Sequence, residues 1–64
     1  MTTTYAPGAV TVTAPGTYLM SELRDEAAQR FAEELERPVG WPTLADVTET
    51  PAGHFLATYV LAGV

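Results

Sequence analysis

The chain has 64 residues, no cysteine, one histidine, and eight acidic against three basic residues, which gives a net charge of −5 at pH 7. A single domain of this size, spanning 1–64, buries only about 60% of the surface of its unfolded chain, so its stability depends on disulfides, a metal or oligomerisation. The composition excludes disulfides and the thiolate and imidazole metal sites. We therefore expect oligomerisation to stabilise the fold.

The charge also argues against direct binding to nucleic acid. Lysine is absent, and all three arginines lie among six acidic residues of one segment, whereas binding to phosphates depends on clustered cations. The N-terminus carries no basic residue and no apolar run, and the longest apolar stretch, 55–64, is about half the length that crosses a bilayer. We expect a cytoplasmic protein without membrane contact.

The residue usage favours a particular kind of genome. Lysine, isoleucine and asparagine are absent, while alanine, threonine, valine, glycine and proline are common. The three missing residues have AT-rich codons. This pattern predicts a high-GC genome, such as that of an actinobacterium or its phage.

The first twenty residues predict one strand between two turns. Residues 1–6 are rich in threonine without a clear pattern, and we expect a loose N-terminus. Ala-Pro-Gly occurs at 6–8 and again at 14–16, and Pro-Gly is typical of type II turns. Between the turns, 9–13 alternates valine with threonine, which predicts a half-buried edge strand. An additional short strand over 17–20 is the alternative.

Residues 21–37 predict an amphipathic helix. Ser21 is expected to be the N-cap, and Pro38 prevents continuation beyond Arg37. Apolar residues recur at helical spacing and form the expected core side, which comprises Met20, Leu23, Ala27, Phe31 and Leu35. The opposite side forms an acidic face, which comprises Glu22, Asp25, Glu26, Glu33 and Glu36.

The acidic face permits one alternative function. A row of carboxylates can imitate a phosphate strand, as in an acidic nucleic-acid mimic that inhibits a DNA- or RNA-binding host protein. An ordinary solvated helix face has the same composition. Glu26 and Glu33 are also placed to form i,i+4 ion pairs with Arg30 and Arg37. Arg24 interrupts the apolar side, and we expect its side chain to reach past the first turn to water.

Residues 43–62 predict a β-hairpin whose turn is the segment 50–53, Thr-Pro-Ala-Gly. The expected register pairs Thr50 with His54, Thr48 with Leu56, Val47 with Ala57, Ala45 with Tyr59 and Leu44 with Val60. Trp41, the only tryptophan, lies in the connector before the hairpin. It is interpreted as a lid on the core or as an anchor in an interface.

The last strand of the hairpin predicts a homodimer. Its apolar side chains point to both faces, which is typical of a strand buried from both sides. One helix covers one face only, so we expect a second copy to cover the other. The expected interface residues are Trp41, Phe55, Leu56, Tyr59, Val60 and Leu61.

No catalytic, cofactor-binding or metal-binding residues are predicted. The chain has no GxGxxG motif, and a P-loop needs the lysine that it lacks. A nucleophilic pair would require Ser21 and His54, but the capping role accounts for Ser21. His54 with Glu49 and Asp46 provides too few ligands, without a fixed frame, to predict a metal.

These observations predict an α+β fold: a three- to four-stranded, mainly antiparallel sheet in the order β-α-β-β or ββ-α-ββ, with the amphipathic helix on one face. The expected function is a non-catalytic protein–protein interaction module, a small accessory or regulatory homodimer with a further protein partner. The alternatives are the acidic nucleic-acid mimic and a ligand-binding or enzymatic dimer with an intersubunit pocket near Trp41 and Tyr59.

Overall fold

A four-stranded antiparallel sheet with one helix on one face forms the fold, in a computed structural model that describes residues 1–62. The elements in chain order are β1 (Thr2–Ala6), β2 (Ala9–Pro15), α1 (Met20–Leu35), β3 (Thr43–Glu49) and β4 (His54–Val60). The strands lie in the order β1-β2-β4-β3, which confirms the α+β class in its ββ-α-ββ form. Gly63 and Val64, the last residues of the predicted domain, lie outside the described residues.

The N-terminal segment is an edge strand, so the prediction of a loose end at residues 1–6 is wrong. β1 pairs with β2 along its whole length, from Thr2 opposite Thr13 to Ala6 opposite Ala9. The two-residue turn between them has Gly8 at φ 82°, as a type II turn requires at its third position. Threonine favours strands, and β2 supplies the pairing that the segment lacks by itself.

Two side chains of the helix contact this edge strand and hold it in place. The ring of Tyr5 meets the ring of Phe31 edge-on, with centroids 6.2 Å apart. Arg30 donates from Nη1 to the carbonyl oxygen of Thr3 at 3.1 Å and to its hydroxyl at 2.8 Å. In a hairpin closed by a two-residue turn, bonded and non-bonded pairs alternate along the strands, and Thr3 lies in a non-bonded pair with Val12. Its carbonyl therefore points away from β2, and Arg30 occupies a backbone acceptor on the free edge of the sheet.

The helix begins and ends earlier than predicted. Leu19 occupies the cap position, and its N–H donates to the carboxylate of Glu22 at 2.9 Å. Ser21 therefore lies inside the first turn, and its prediction as N-cap is wrong because Glu22 satisfies the exposed N–H instead. Glu36 ends the helix in the left-handed conformation, with φ 55°, so Arg37 lies outside the last turn.

The predicted ion pairs of the helix do not form as expected. Arg30 pairs with Glu34 through Nε at 2.9 Å rather than with Glu26. Arg37 lies beyond the end of the helix, where the i,i+4 geometry with Glu33 no longer applies. Arg30 thus contacts Glu34 and β1 with different nitrogens of one guanidinium.

One core lies between the helix and the sheet. Its buried residues are Val10, Val12, Ala14, Leu23, Ala27, Phe31, Ala57 and Tyr59. The alternation predicted for 9–13 is confirmed, because the valines of β2 are fully buried and the threonines face the other side. The prediction of an edge strand is wrong, because β2 pairs with β1 on one side and β4 on the other. Of the predicted core side of the helix, Leu23, Ala27 and Phe31 are fully buried.

The C-terminal hairpin has the predicted turn but a different register at its far end. Gly53 has φ 80°, and Thr50 with His54, Val47 with Ala57, and Thr48 with Leu56 lie as predicted. An irregularity between Leu44 and Asp46 then shifts the register by one residue. Leu44 pairs with Tyr59 and Thr43 with Val60, so the predicted pairs Ala45–Tyr59 and Leu44–Val60 are wrong. The β-bulge turns Leu44 toward the helix side.

A close backbone contact replaces the alternative short strand at 17–20. The N–H of Gly16 donates to the carbonyl oxygen of Gly53 at 2.9 Å, and the chain then turns into the helix through a bond from Tyr18 N–H to Pro15 O at 3.1 Å. A Cβ atom added at Gly16 would also lie 2.9 Å from the oxygen of Gly53, whereas one added at Gly40 meets nothing within 4 Å.

We expect Gly16→Ala to lower the free energy of unfolding by about 1–3 kcal/mol, because the added methyl group forces two backbone segments apart. Gly40→Ala is the matched control, and we expect it to be neutral or slightly stabilising. Urea denaturation of both variants measures the difference. Equal stability of the two would contradict the close contact.

We expect Arg30→Gln to loosen β1, because Thr3 loses a charge-assisted contact worth about 1–2 kcal/mol. Amide exchange of Thr4 and Ala6 should become faster relative to the exchange of β2. Arg37→Gln is the control that removes the same charge outside the helix. Unchanged exchange in β1 would show that Arg30 does not hold the strand.

Candidate functional site

The helix covers only part of its face of the sheet. α1 packs mainly on β2 and β1 and lightly on β4, and all seven residues of β3 are exposed. The apolar residues left uncovered on this side form what we call the β3 patch, which comprises Met20 (36% exposed), Trp41 (63%), Leu44 (43%) and Val47 (41%). These four side chains give this side of the molecule an exposed apolar surface.

An open cleft of about 270 Å³ lies beside the patch, between the N-terminal half of α1 and β3. Its lining residues are Met20, Ser21, Arg24, Pro42, Leu44 and Tyr59. The β-bulge of β3 is necessary for this arrangement, since it brings Leu44 opposite Tyr59 on the helix side. Pro42 is the buried residue of the connector.

Arg24 forms the charged wall of the cleft. Its guanidinium carbon lies 4.1 Å from the centroid of the Trp41 ring, which is the geometry of a cation–π contact. Nε of Arg24 has no hydrogen-bond partner and no exposure to water, and the nearest carboxylate, of Asp25, lies 4.0 Å from Nη2. The side chain of Arg24 is 42% exposed, so it reaches water as expected, but it also rests against Trp41.

Trp41 does not close the core as a lid. Its ring is mostly exposed and rests on Arg24, while the neighbouring Pro42 is buried. The expectation of an aromatic lid is therefore wrong, because the helix and the sheet close the core without it. Trp41 remains available as a surface anchor.

Tyr59 forms the floor of the cleft. Its ring is buried, and its hydroxyl donates to the backbone oxygen of Met20 at 3.3 Å. Burial disfavours the tyrosinate and raises the pKa of Tyr59, and the positive charge of Arg24 offsets part of this increase. The phenol therefore stays neutral at physiological pH and fixes the start of the helix to β4.

The structure separates the predicted interface residues. Tyr59 and Phe55 lie on the helix side of β4, and Leu61 packs against the core. Leu56 and Val60 lie on the opposite face of the sheet. By register, that face carries the hydroxyls of Thr2, Thr4, Thr11, Thr13, Thr43, Thr48 and Thr58. Threonine surroundings let this face contact water, so the apolar excess lies on the helix side instead.

Two of the five carboxylates of the acidic face contact other groups of the chain. Glu22 accepts the N–H of Leu19, and Asp25 lies near Arg24. Glu36 forms the left-handed end of the helix. Glu26 is half-buried, and Glu33 is exposed.

The residues considered for chemistry are not brought together. Ser21 lies at the cleft, whereas His54 lies at the opposite end of β4 from Tyr59. Asp46 and Glu49 lie on opposite faces of β3. Among residues 1–62, no three histidine, aspartate or glutamate side chains are grouped so that they would hold a metal ion. No helix of this part of the chain is long and apolar enough to cross a membrane.

No regular sequence pattern predicts the cleft, although one residue of the helix indicates it. Arg24 interrupts the apolar side of an otherwise regular amphipathic helix, and this position is the one that faces the cleft. The other lining residues depend on the bulge and on the path of the connector, which no local pattern indicates. Comparisons of the chain with protein-family models, with curated proteins and with solved structures gave no match in any of the three.

The coupling between Arg24 and Tyr59 gives a titration prediction. Arg24→Gln should raise the pKa of Tyr59 further, because the nearby positive charge is lost. Arg37→Gln should leave it unchanged. The measurement is the pH dependence of the ring-carbon NMR signal of Tyr59, and an unchanged pKa in Arg24→Gln would contradict the coupling.

A raised pKa in the folded state also affects stability. The contribution of the Tyr59 phenol to the free energy of unfolding is fully present below the pKa of tyrosine in the unfolded chain, about 10. It is lost as the pH rises through the folded pKa, because the unfolded chain ionises first. Tyr59→Phe should therefore lose less stability than the parent protein between neutral pH and the alkaline range, as measured by urea denaturation at several pH values.

Proposed function

We propose that the protein is a non-catalytic protein–protein interaction module that acts as a homodimer, with the β3 patch as its seam. The observation that carries this proposal is the position of the helix, which leaves the helix-side surface of β3 apolar and uncovered. Such a homodimer would serve as a small accessory or regulatory protein that presents its remaining surface to a further protein partner.

The side chains of the patch suit an interface. Trp41 is held on Arg24, so little conformational freedom is lost when it is buried, and tryptophan and arginine are the residue types most enriched at binding hot spots. Leu44 and Val47 project from the same side of β3 and extend the apolar surface. A small chain that gains little from its own core benefits from burying this surface.

The seam is expected to form by packing of faces, not by pairing of edges. The free edge of β3 carries the bulge after Leu44 and the charges of Asp46 and Glu49. Bulges and charges are the features that prevent edge-to-edge pairing of strands. Thr3 on the other edge is occupied by Arg30. Contact through the β3 patch avoids both edges.

Electrostatics separates this proposal from charge-driven binding. Each copy carries a net charge of −5, so two copies repel each other at long range, while the seam itself is apolar. At physiological ionic strength, salt screens the repulsion between exposed charges that lie more than about 8 Å apart. Dimerisation should therefore strengthen as salt is added, whereas an acidic nucleic-acid mimic binds its basic partner more weakly in salt.

We expect sedimentation equilibrium to give twice the chain mass of 6.8 kDa at micromolar concentration. Val47→Asp should weaken the dimer by roughly thirtyfold or more, the effect of a hot-spot residue worth ~2 kcal/mol. Thr48→Asp, one residue along on the opposite face of β3, should leave the dimer unchanged. Circular dichroism checks that both variants fold.

Two outcomes would overturn the proposal. The first is sedimentation of the parent protein as a clean 6.8 kDa species at high micromolar concentration and in high salt. Alternatively, Thr48→Asp breaks a dimer that Val47→Asp leaves intact, which would place the seam on the threonine face.

A further inference from the structure

The cleft beside the β3 patch has the composition of a small ligand site. We propose that it binds a small apolar molecule with a single carboxylate, whose charged end contacts Arg24 and whose apolar end lies along Leu44 and Met20. All the lining residues belong to one chain. Met20 and Leu44 also belong to the β3 patch, so the ligand would occupy the cleft of a single copy and would compete with the proposed homodimer.

The orientation of Arg24 selects the charged end of the ligand. The Trp41 ring lies on one side of the Arg24 guanidinium, whose carbon is 4.1 Å from the ring centroid. A carboxylate accepts two guanidinium N–H groups at once, in the bidentate geometry that arginine favours. Nε has no partner, and Asp25 reaches Nη2 only at 4.0 Å. A carboxylate at the cleft would give the terminal nitrogens of the guanidinium the close acceptor that Asp25 does not provide, while Nε stays shielded from water.

The other walls select the rest of the ligand. Met20, Pro42 and Leu44 are apolar, and Tyr59 presents a ring whose hydroxyl already donates to the backbone. The volume of about 270 Å³ lies at the lower end of the range for ligand pockets, which begins near ~300 Å³. It therefore accommodates one ring or a short aliphatic chain, and not a nucleotide or a cofactor.

Charge balance further restricts the ligand to a single negative charge. Arg24 is the only charged residue among the six that line the cleft, and it can neutralise one carboxylate. The chain as a whole carries −5, so a second or third negative charge on the ligand would meet repulsion without a compensating cation. Phosphate esters and dicarboxylates are disfavoured for this reason.

The only tryptophan of the chain provides the readout, because it lies on Arg24. The probe is sodium benzoate, titrated into the full chain while the emission of Trp41 is recorded, with the amide NMR signals of Ser21 and Leu44 as a second measurement. Benzamide, which has the same ring and no charge, is the matched ligand control. We expect benzoate to give a saturable change and benzamide to bind roughly tenfold or more weakly.

Substitutions distinguish a specific site from general attraction of anions. Arg24→Gln should abolish the preference for benzoate over benzamide, and Arg24→Lys, which keeps the charge without the fork, should restore it only in part. Arg37→Gln removes the same charge from a position beyond the other end of the helix and should change nothing. The NMR signals of Ser21 and Leu44 report binding even where loss of the stack alters the emission of Trp41.

Three outcomes would overturn the inference. These are equal binding of benzoate and benzamide, retention of the preference in Arg24→Gln, and no saturable change in either measurement up to tens of millimolar benzoate. The titration uses the protein at a dilution where it sediments as the 6.8 kDa monomer, so that a homodimer cannot cover the cleft and failure of the ligand site is distinguishable from failure of the homodimer.

Discussion

The attachment of the helix to the first strand is the constraint on which the other surfaces depend. Arg30 holds Thr3, and Phe31 meets Tyr5 edge-on, so the helix lies toward the β1 side of the sheet. A helix about 10 Å wide covers roughly two strands at a spacing of about 4.8 Å. With the first two strands covered, the third strand in the sequence, at the far edge, has no cover from its own chain.

Two irregular features of the backbone determine which side chains form the β3 patch and the cleft beside it. The bulge in β3 turns Leu44 to the helix side, where regular pairing would have placed the smaller Ala45 opposite Tyr59. The proline-rich connector places Trp41 on Arg24, which fixes a cation in apolar surroundings. Each feature alone would give an ordinary surface. Together they create a cleft with one charge and several apolar walls.

Regular periodicity made much of this fold predictable. The valines of β2 and the buried side of α1 follow from spacing alone, and the turn at Gly53 follows from its proline and glycine. The sequence did not reveal β1, because its pairing depends on β2 and on a helix residue 27 positions away. The Ser21 prediction failed because two acceptors competed for the start of the helix, and Glu22 provides the contact. The cleft depends on the bulge, which has no glycine or proline to indicate it.

The apolar surface that motivates a covering partner lies beside β3 and not on the second face of β4. The sequence suggested that the final strand needs cover on both faces, but the second face of β4 is surrounded by threonines, and the hydroxyls of Thr11 and Thr58 lie 3.3 Å apart. Paired hydroxyls remain hydrated at little cost, whereas exposed Trp41 and Leu44 order water without compensation. Because of the position of the helix, the exposed side chains of Trp41, Leu44 and Val47 lie beside β3 and not on the second face of β4.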